Sequence, residues 1–316
     1  MLAIPTQRDD LSDAVITCAD MRMLPAACCA LLSAKRNVSS ASVRFFLLGI
    51  GLDDGGRERV AGFAKHHGFA IEVVDFVAPS FEGQALGRWP ASAVARLYMD
   101  EQLPSDIRRL LYLDADTLVV TPLDTLFGLD LKGHPLAAVD DFLMAFPRNM
   151  AVRNVQIGMA ADSRYFNSGV LLIDWAGLAR RNFLKEARDL FFQDSHRYDC
   201  PDQDALNVVT ERDWLALDPK WNAQTGILAF VPSPAILHFT GPKKPWHPRL
   251  QWMHRESHQF YKRELAGTAW ADFCATPSLF ARVRSLLSHV LIQVTKRRKH
   301  RITERYFEAQ QGAGLR

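Results

Sequence analysis

Apolar runs of strand length recur along the first third of the chain, separated each time by a helix-length segment. This alternation restricts the fold more than any other feature. Ala14-Val15-Ile16-Thr17-Cys18-Ala19-Asp20, Val43–Ile50, Ala70–Phe76 and Leu110-Leu111-Tyr112-Leu113 are dominated by apolar residues on both faces, as strands are when helices cover a sheet from two sides. Between them, Met23 to Arg36 reads as a helix with Pro25 in its first turn, where proline is tolerated. Asp53-Asp54-Gly55-Gly56 reads as a turn into a second helix that ends near His66-His67-Gly68. Beyond a loop with Pro79, Gly83, Gly87 and Pro90, a third helix is expected over residues 91–103, carrying Ala95-Arg96-Leu97. The β-α-β-α-β order implies an α/β fold with a mostly parallel central sheet flanked by helices. Ligands of such sheets bind beyond the carboxyl ends of the strands, where Asp20, Asp114 and Asp116 stand.

The run Leu110–Leu113 ends in Asp114-Ala115-Asp116 before the chain turns apolar again. Two carboxylates there are costly to bury unless cations receive them. Residues i and i+2 of a strand share a face, so the pair is expected to converge on one hard cation such as Mg2+ or Mn2+. The competing reading is a pair of acids capping a turn at a strand exit.

The second half is less regular. Leu136–Val139 reads as a short strand entering Asp140-Asp141, residues 142–164 as a loop, Phe166–Asp174 as a turn and strand, and 175–194 as a helix. Pro201 followed by Asp202-Gln203-Asp204 suits a helix N-terminus, and Ala235–Phe239 reads as a late strand. The 48% hydrophobic and 23% charged composition is that of a globular protein. No stretch has the roughly 18 consecutive apolar residues of a membrane span, and no secretory signal is visible at the N-terminus. Five scattered cysteines without a Cys-x-x-Cys argue against a disulfide framework or structural zinc and fit a reducing cytosol.

Charge is unevenly spread. Residues 277–316 carry nine Lys/Arg against Glu304 and Glu308, a net of +7 that leaves −4 for the rest within a total of +3. Phe280, Val283, Leu287, Val290 and Val294 recur at helical spacing, followed by Lys296-Arg297-Arg298-Lys299-His300-Arg301. The expectation is a C-terminal amphipathic basic helix lying on an anionic membrane surface, with a helix packed on the domain as the alternative. Nucleic acid is not expected as a partner, because no recognition motif accompanies the basic residues.

Leu111–Asp116, Phe166-Asn167-Ser168-Gly169, Asp202–Asn207, and His238-Phe239-Thr240-Gly241 with Lys244-Pro245-Trp246 form an ordered set. Over roughly residues 14–265 this set resembles the retaining glycosyltransferases of family 8, with lipopolysaccharide α-galactosyl- and α-glucosyltransferases nearer than glycogenin. The resemblance implies a GT-A (nucleotide-diphospho-sugar transferase) fold. It divides the chain into a catalytic domain, 1–265, and a helical basic tail, 266–316. It further implies that Asp114, Asp116 and His238 hold Mn2+, with Mg2+ as the alternative. A metal there stabilises a departing diphosphate as a Lewis acid. Gly241 would admit the diphosphate close to the backbone, and Lys244 would meet it as a point charge. Arg96, Ala115, Asn167, Ser168, Gly169 and Asp202 would line the donor, and Asp20 would accept from the uracil N3–H.

Gln203 matches the position beside the anomeric carbon. A carboxamide is neither a useful base nor a good nucleophile, so same-face attack is expected, with Gln203 steadying oxocarbenium-like charge and Asp204 as the reserve nucleophile. The chain departs from the family pattern at Met21-Arg22-Met23, where relatives often carry an asparagine and a tyrosine that cradles the base. It departs again at Arg88-Trp89-Pro90-Ala91-Ser92, in place of a more polar stretch, and at Ser168, where alanine is common. The implied reaction is transfer of glucose or galactose from a UDP-sugar to a lipid-linked saccharide at the cytoplasmic face of a membrane. Deletion of residues 277–316 is expected to weaken membrane association and spare donor hydrolysis. Two rivals remain: a haloacid-dehalogenase-type phosphatase built on Asp114-Ala115-Asp116-Thr117-Leu118 with Asp140-Asp141, and a non-catalytic sugar-nucleotide-binding module. The phosphatase motif lacks its usual glycine before the threonine and follows three strands instead of opening the domain. The module would be expected to have lost a metal ligand or the diphosphate lysine.

Overall fold

The computed structural model describes residues 11–76, 94–193, 197–248, 251–295 and 298–311, the side chains of 292–299 excepted. The chain runs β1 (Ser12–Asp20), α1 (Leu24–Lys35), β2 (Arg44–Ile50), α2 (Asp54–His67), β3 (Glu72–Phe76), a 3-10 turn (Ala95–Tyr98) leading into α3 (Met99–Gln102), β4 (Ile107–Leu113) and β5 (Thr117–Val119). It continues with α4 (Asp124–Phe127), β6 (Leu136–Asp140), α5 (Pro147–Ile157), β7 (Phe166–Ile173), α6 (Phe183–Gln193), α7 (Pro201–Val209), β8 (Leu215–Ala216), β9 (Ala223–Gln224), β10 (Ile236–His238), α8 (Arg255–Leu265), α9 (Leu279–Thr295) and α10 (Arg298–Ala309).

The main sheet has the order β3-β2-β1-β4-β7-β6-β8. Strands β3, β2, β1 and β4 are parallel, β7 runs antiparallel to both β4 and β6, and β8 is parallel to β6. The apolar runs alternate between two cores. Val15, Leu111 and Leu113 enter the one that contains α1 and α2, whereas Ala14, Ile16, Leu110 and Tyr112 enter the one that contains α6 and α7. That is the physical content of strands apolar on both faces.

Helix α1 is buried along almost its whole length, from Leu24 to Ala34, because it lies under the main sheet on one side and beside β5 on the other. Its polar groups serve the edge of β5: Val119 N donates to Ser33 Oγ at 2.9 Å and Asn37 Nδ2 donates to Val119 O at 3.2 Å. Helix α2 starts earlier than expected, at Asp54. Asp53 is its N-cap, accepting from Gly56 N at 2.6 Å, and Gly68 closes it at φ 68°. The five cysteines are free.

Residues 142–164 are not a loop. A 3-10 turn (Phe142–Ala145) precedes α5, whose inward positions are Met150, Asn154 and Ile157. Asn154 breaks the apolar periodicity from which a helix would be read, and its Nδ2 donates to Ser163 O at 2.8 Å. The helix expected over 175–194 begins only at Phe183, and the start of the helix expected over 91–103 lies outside the described residues, as do Pro79, Gly83, Gly87 and Arg88–Ser92.

The C-terminal region consists of two helices with opposite relations to the body. No described side chain of α9 is buried, and Phe280, Val283, Leu287, Val290 and Leu291 all face outward. Helix α10 is anchored: Phe307 is fully buried with Ala145, Ala223, Ile227 and Val231, and Tyr306 donates to Asp140 Oδ2 at 2.7 Å. Asp140 also receives Arg164. Removing residues 277–316 would therefore strip a structural helix from β6 and β9 together with the exposed one.

Substituting Phe307→Ala should lower stability by about 3–5 kcal/mol, the usual range for emptying a buried aromatic site. Urea unfolding would show a lower midpoint at unchanged slope. An unaltered midpoint would mean that α10 is not seated on the body.

Candidate active site

The site forms where the main sheet meets a small sheet of order β5-β10-β9. Asp114-Ala115-Asp116 is a turn, not the end of a strand: Thr117 N and Oγ1 both donate to Asp114 O, at 3.1 and 2.8 Å. The two carboxylates thus converge by chain reversal, and the i, i+2 strand alternation expected from the sequence is not the cause. Strand β5, leaving the turn, pairs antiparallel with β10 so that His238 stands opposite Thr117. On the other side β4 pairs with β7, and Asp114 N donates to Gly169 O at 2.8 Å.

These pairings bring His238 Nε2 to 3.5 Å from both Asp114 Oδ2 and Asp116 Oδ1. One ligand atom from each of the three residues lies within 4.8 Å of the others. Gly169 packs directly against the cluster, since a Cβ there would lie 2.2 Å from His238 Cε1 and 2.6 Å from Asp114 Oδ2.

The tautomer of His238 follows from a backbone donor. Gly169 N donates to Asn167 Oδ1 at 3.1 Å, so Asn222 Nδ2 must be the group that donates to the same oxygen at 2.8 Å. Asn222 Oδ1 then faces His238 Nδ1 at 2.9 Å and accepts its proton, which leaves Nε2 turned toward the carboxylates. Burial disfavours the imidazolium, yet the Asp116 carboxylate and the contacts to Asp114 outweigh it and raise His238 to about 9. Burial likewise opposes ionisation of Asp114 and Asp116. Arg96 and His238 hold Asp114 well below the usual carboxylate range, and His238 and Lys244 lower Asp116. Two carboxylates and an oriented imidazole suit a divalent cation.

Arg96, on the 3-10 turn before α3, is buried behind this cluster. It donates to Asp114 Oδ1 at 2.8 Å and to Ser168 O and Oγ at 2.9 and 3.2 Å. Its Nε lies 2.7 Å from Asp202 Oδ2 without the alignment of a hydrogen bond, and its guanidinium sits 4.5 Å from the Tyr112 ring. Tyr112 OH donates to Asp114 Oδ1 at 2.8 Å. Arg96 thus braces Asp114 and Asp202 from within the protein. Burial raises the Asp202 carboxyl against the pull of Arg96.

Gln203, in the first turn of α7, is held at both ends. Its Oε1 accepts from Ser168 N, Asn167 Nδ2 and Ser168 Oγ at 3.0, 3.2 and 3.3 Å. Its Nε2 donates to Asp141 Oδ2 and Tyr165 OH at 3.2 and 3.1 Å. Asp204 is fully buried and saturated, accepting from Tyr165 OH at 2.6 Å, Arg153 at 2.7 and 3.0 Å, and the backbone of Asp199 and Cys200. With every lone pair committed, Asp204 is a structural cap of α7 in this conformation. It is not placed as a free nucleophile.

Lys244 contacts Asp116 Oδ2 and donates to Phe239 O at 2.7 Å. Gly241 has φ 84°, a left-handed conformation that glycine adopts without strain. Ala115, at the tip of the Asp turn, is buried. Asp20 lies at the carboxyl end of β1, next to β4. Its Oδ1 accepts from Arg22 N and Met23 N, both at 3.1 Å, and among the described residues its Oδ2 meets only the exposed Arg22 side chain. Four contributors escaped the sequence reading as parts of this site: Tyr112, Asn222, Tyr165 and Asp141. Tyr112 lies within the Leu111–Asp116 run and Asp141 in the acidic pair, but neither was assigned a role there; each of the four acts by holding another residue. The Asp140-Asp141 pair does not serve a phosphatase centre, since Asp140 pairs with Arg164 and Tyr306, and Asp141 with Gln203 and Asn167.

The sequence matches the family described as Glycosyl transferase family 8 over residues 14–249. It is 26% identical over 253 residues to General stress protein A of Bacillus subtilis (strain 168), covering 72% of this chain and 84% of that protein. It is 25% identical over 246 residues to Lipopolysaccharide 1,2-glucosyltransferase of Escherichia coli (strain K12), covering 72% and 70%. The fold is similar to that of the galactosyltransferase LgtC, solved in complex with donor and acceptor sugar analogs, with a TM-score of 0.71 at 25% identity over 82% of this chain and 99% of that one. The GT-A architecture expected from the sequence is the one observed.

Gly169→Ala should drive a methyl group into the Asp114–His238 contact and abolish Mn2+ binding. Asn222→Ala, which frees the imidazole, should weaken binding by about 10- to 100-fold. Isothermal titration calorimetry on both variants measures this, and wild-type affinity in Gly169→Ala would dispose of the assigned ligand set.

Proposed function

The chain belongs to glycosyl transferase family 8, and from that membership we propose that it is a retaining, metal-dependent hexosyltransferase. It moves glucose or galactose from a UDP-sugar to a lipid-linked saccharide of the lipopolysaccharide-core type, forming an α-linkage. The observation that carries this reading is the convergence, from distant parts of the chain, of Asp114, Asp116 and His238 with Lys244 on one side and the amide of Gln203 on the other. The names of the glucosyltransferase and galactosyltransferase relatives support the hexose class and the saccharide acceptor.

Asp114, Asp116 and His238 would hold Mn2+, which when bound acts as a Lewis acid on the leaving diphosphate. Lys244 provides a point charge beside the same group, and Gly241 gives its backbone room. Asn167, Ser168 and Gln203 form one polar ridge able to face sugar hydroxyls. The bond between the anomeric carbon and the β-phosphate oxygen breaks, and the acceptor oxygen bonds to that carbon on the same face. The acceptor's proton passes to the departing phosphate oxygen. Gln203 supports this route over a covalent one, since its carbonyl oxygen already accepts three protein donors and Asp204 is saturated. Asp20 Oδ2 remains available for a uracil N3–H, with Met23 beside it as an apolar cover.

Among the described residues no helix is long and apolar enough to cross a membrane. The outward apolar stripe of α9, together with the basic charge of the C-terminal region, supports peripheral docking on an anionic leaflet at the cytoplasmic face. The basic cluster at 296–299 lies outside the described side chains.

Mn2+-dependent release of UDP from UDP-glucose or UDP-galactose, with the α-anomer of the free sugar formed first, is the expected activity. Proton NMR during hydrolysis reads the anomer. A β-anomer as first product would overturn retention, and a glycosyl adduct trapped on wild-type Asp204 would overturn the same-face route. Because α10 is structural, membrane docking is best tested by point substitution. Phe280→Glu with Leu287→Glu should release the protein from phosphatidylglycerol liposomes while UDP release in solution persists; unchanged sedimentation would refute docking through α9.

A further inference from the structure

Helix α9 is oriented against the ordinary rule: its apolar stripe faces outward and its polar side faces the body. Between that polar side and the body lies a cavity of about 300 Å³. Lys243, Arg284, His289 and His300 line it together with the aromatic rings of Phe230 and Trp252, and among the described residues no carboxylate does. Neither Lys243 nor Arg284 has an ion-pair partner among the described residues, and Nδ1 of His300 is buried without a hydrogen-bond partner. Lys243 and Arg284 are exposed at the cavity's rim, and two cations with N–H donors around one cavity form a site suited to an anion. The aromatic rings and the hydroxyl of Ser288 give the same cavity the apolar faces and polar points that sugar rings need.

Two lining residues are tied through the backbone to residues of the candidate active site. Thr225, also in its lining, donates its N–H to His238 O at 3.0 Å. Lys243 directly precedes Lys244, which contacts Asp116.

We propose that this cavity binds a phosphate carried by the saccharide acceptor, with Lys243 and Arg284 as the charged contacts and His289 and His300 as additional donors. The inference rests on the hexosyltransferase reading for the meaning of "acceptor", but its test reads binding alone. Helix α9 would then serve two surfaces at once, its outer stripe the membrane and its inner face the head group of a substrate anchored in that membrane.

The test uses the full chain with labelled histidines, in metal-free buffer with the imidazole signals followed by NMR. Glucose 6-phosphate should shift His289 and His300 saturably in the millimolar range, with and without excess UDP, and at least tenfold more tightly than glucose. In Arg284→Glu these shifts should vanish while the remaining histidine signals keep their wild-type positions. Equal response to glucose would overturn the assignment of an anion site. Loss of the shifts on adding UDP would place the phosphate in the donor site and overturn the proposal. Response to dihexanoyl phosphatidylglycerol below its micellar concentration, but not to glucose 6-phosphate, would make the cavity a lipid head-group site and overturn the acceptor assignment. Failure of UDP-sugar hydrolysis, measured separately, would count against the catalytic reading and leave this binding result untouched.

Discussion

Asp114 and Asp116 are held a few ångströms apart at the exit of a buried strand, and most of the surrounding architecture answers the electrostatic demand that they make. Isolated carboxylates at such burial would neutralise by taking up protons. Here Arg96 reaches Asp114 from one side, Lys244 reaches Asp116 from the other, and the His238 imidazole stands between them. Each cation comes from a different segment: the turn before α3, the loop after β10, and β10 itself. The small sheet of β5, β9 and β10 matters chiefly because it lays His238 beside the turn. Gly169 matters because any side chain there would occupy the space in which these groups meet.

The strands of the first half were legible in the sequence because burial on both faces leaves long apolar runs that tolerate little else. The candidate ligands were legible because charged residues at the ends of such runs are conspicuous. What stayed hidden was held by tertiary contact. Helix α5 escaped because a buried asparagine occupies one of its three inward positions. The bracing role of Arg96 escaped because a sequence shows an arginine but not whether its donors point into the protein. Asn222 was invisible for the same reason, since its importance lies in a hydrogen-bond relay from Gly169 N through Asn167 to His238 that spans three segments. Asp204 is conspicuous in sequence as an acid beside Gln203, whereas the hydrogen bonds it accepts at the start of α7 are not.

The C-terminal region separates two properties that a helical wheel merges. Amphipathicity in α9 was evident from sequence, but its sign was not: an apolar stripe usually turns inward. In α9 it turns outward, while α10 ties the end of the chain back to β6 and β9. Phe307 and Tyr306 are thus seated on the body. Asp140, which Tyr306 holds, is adjacent to Asp141, which holds Gln203.

Charge also constrains how ligands of the proposed reaction would enter. With the His238 imidazole neutral, as a metal ligand must be, Arg96 and Lys244 balance Asp114 and Asp116. A divalent cation alone would leave the buried cluster with an excess of about two positive charges, which low-dielectric surroundings penalise. A diphosphate alone would add the opposite excess. Together they nearly cancel, so on the proposed reading metal and nucleotide each favour the other's binding, and linkage requires that the effect be equal in both directions. Lys244 is the adjustable member of this balance. Paired with Asp116 in the free protein, it stands close enough to turn toward a phosphate once another cation has taken its place. The arrangement explains why a lysine, a flexible point charge, occupies that position, while the rigid and always-charged arginine occupies the one behind Asp114.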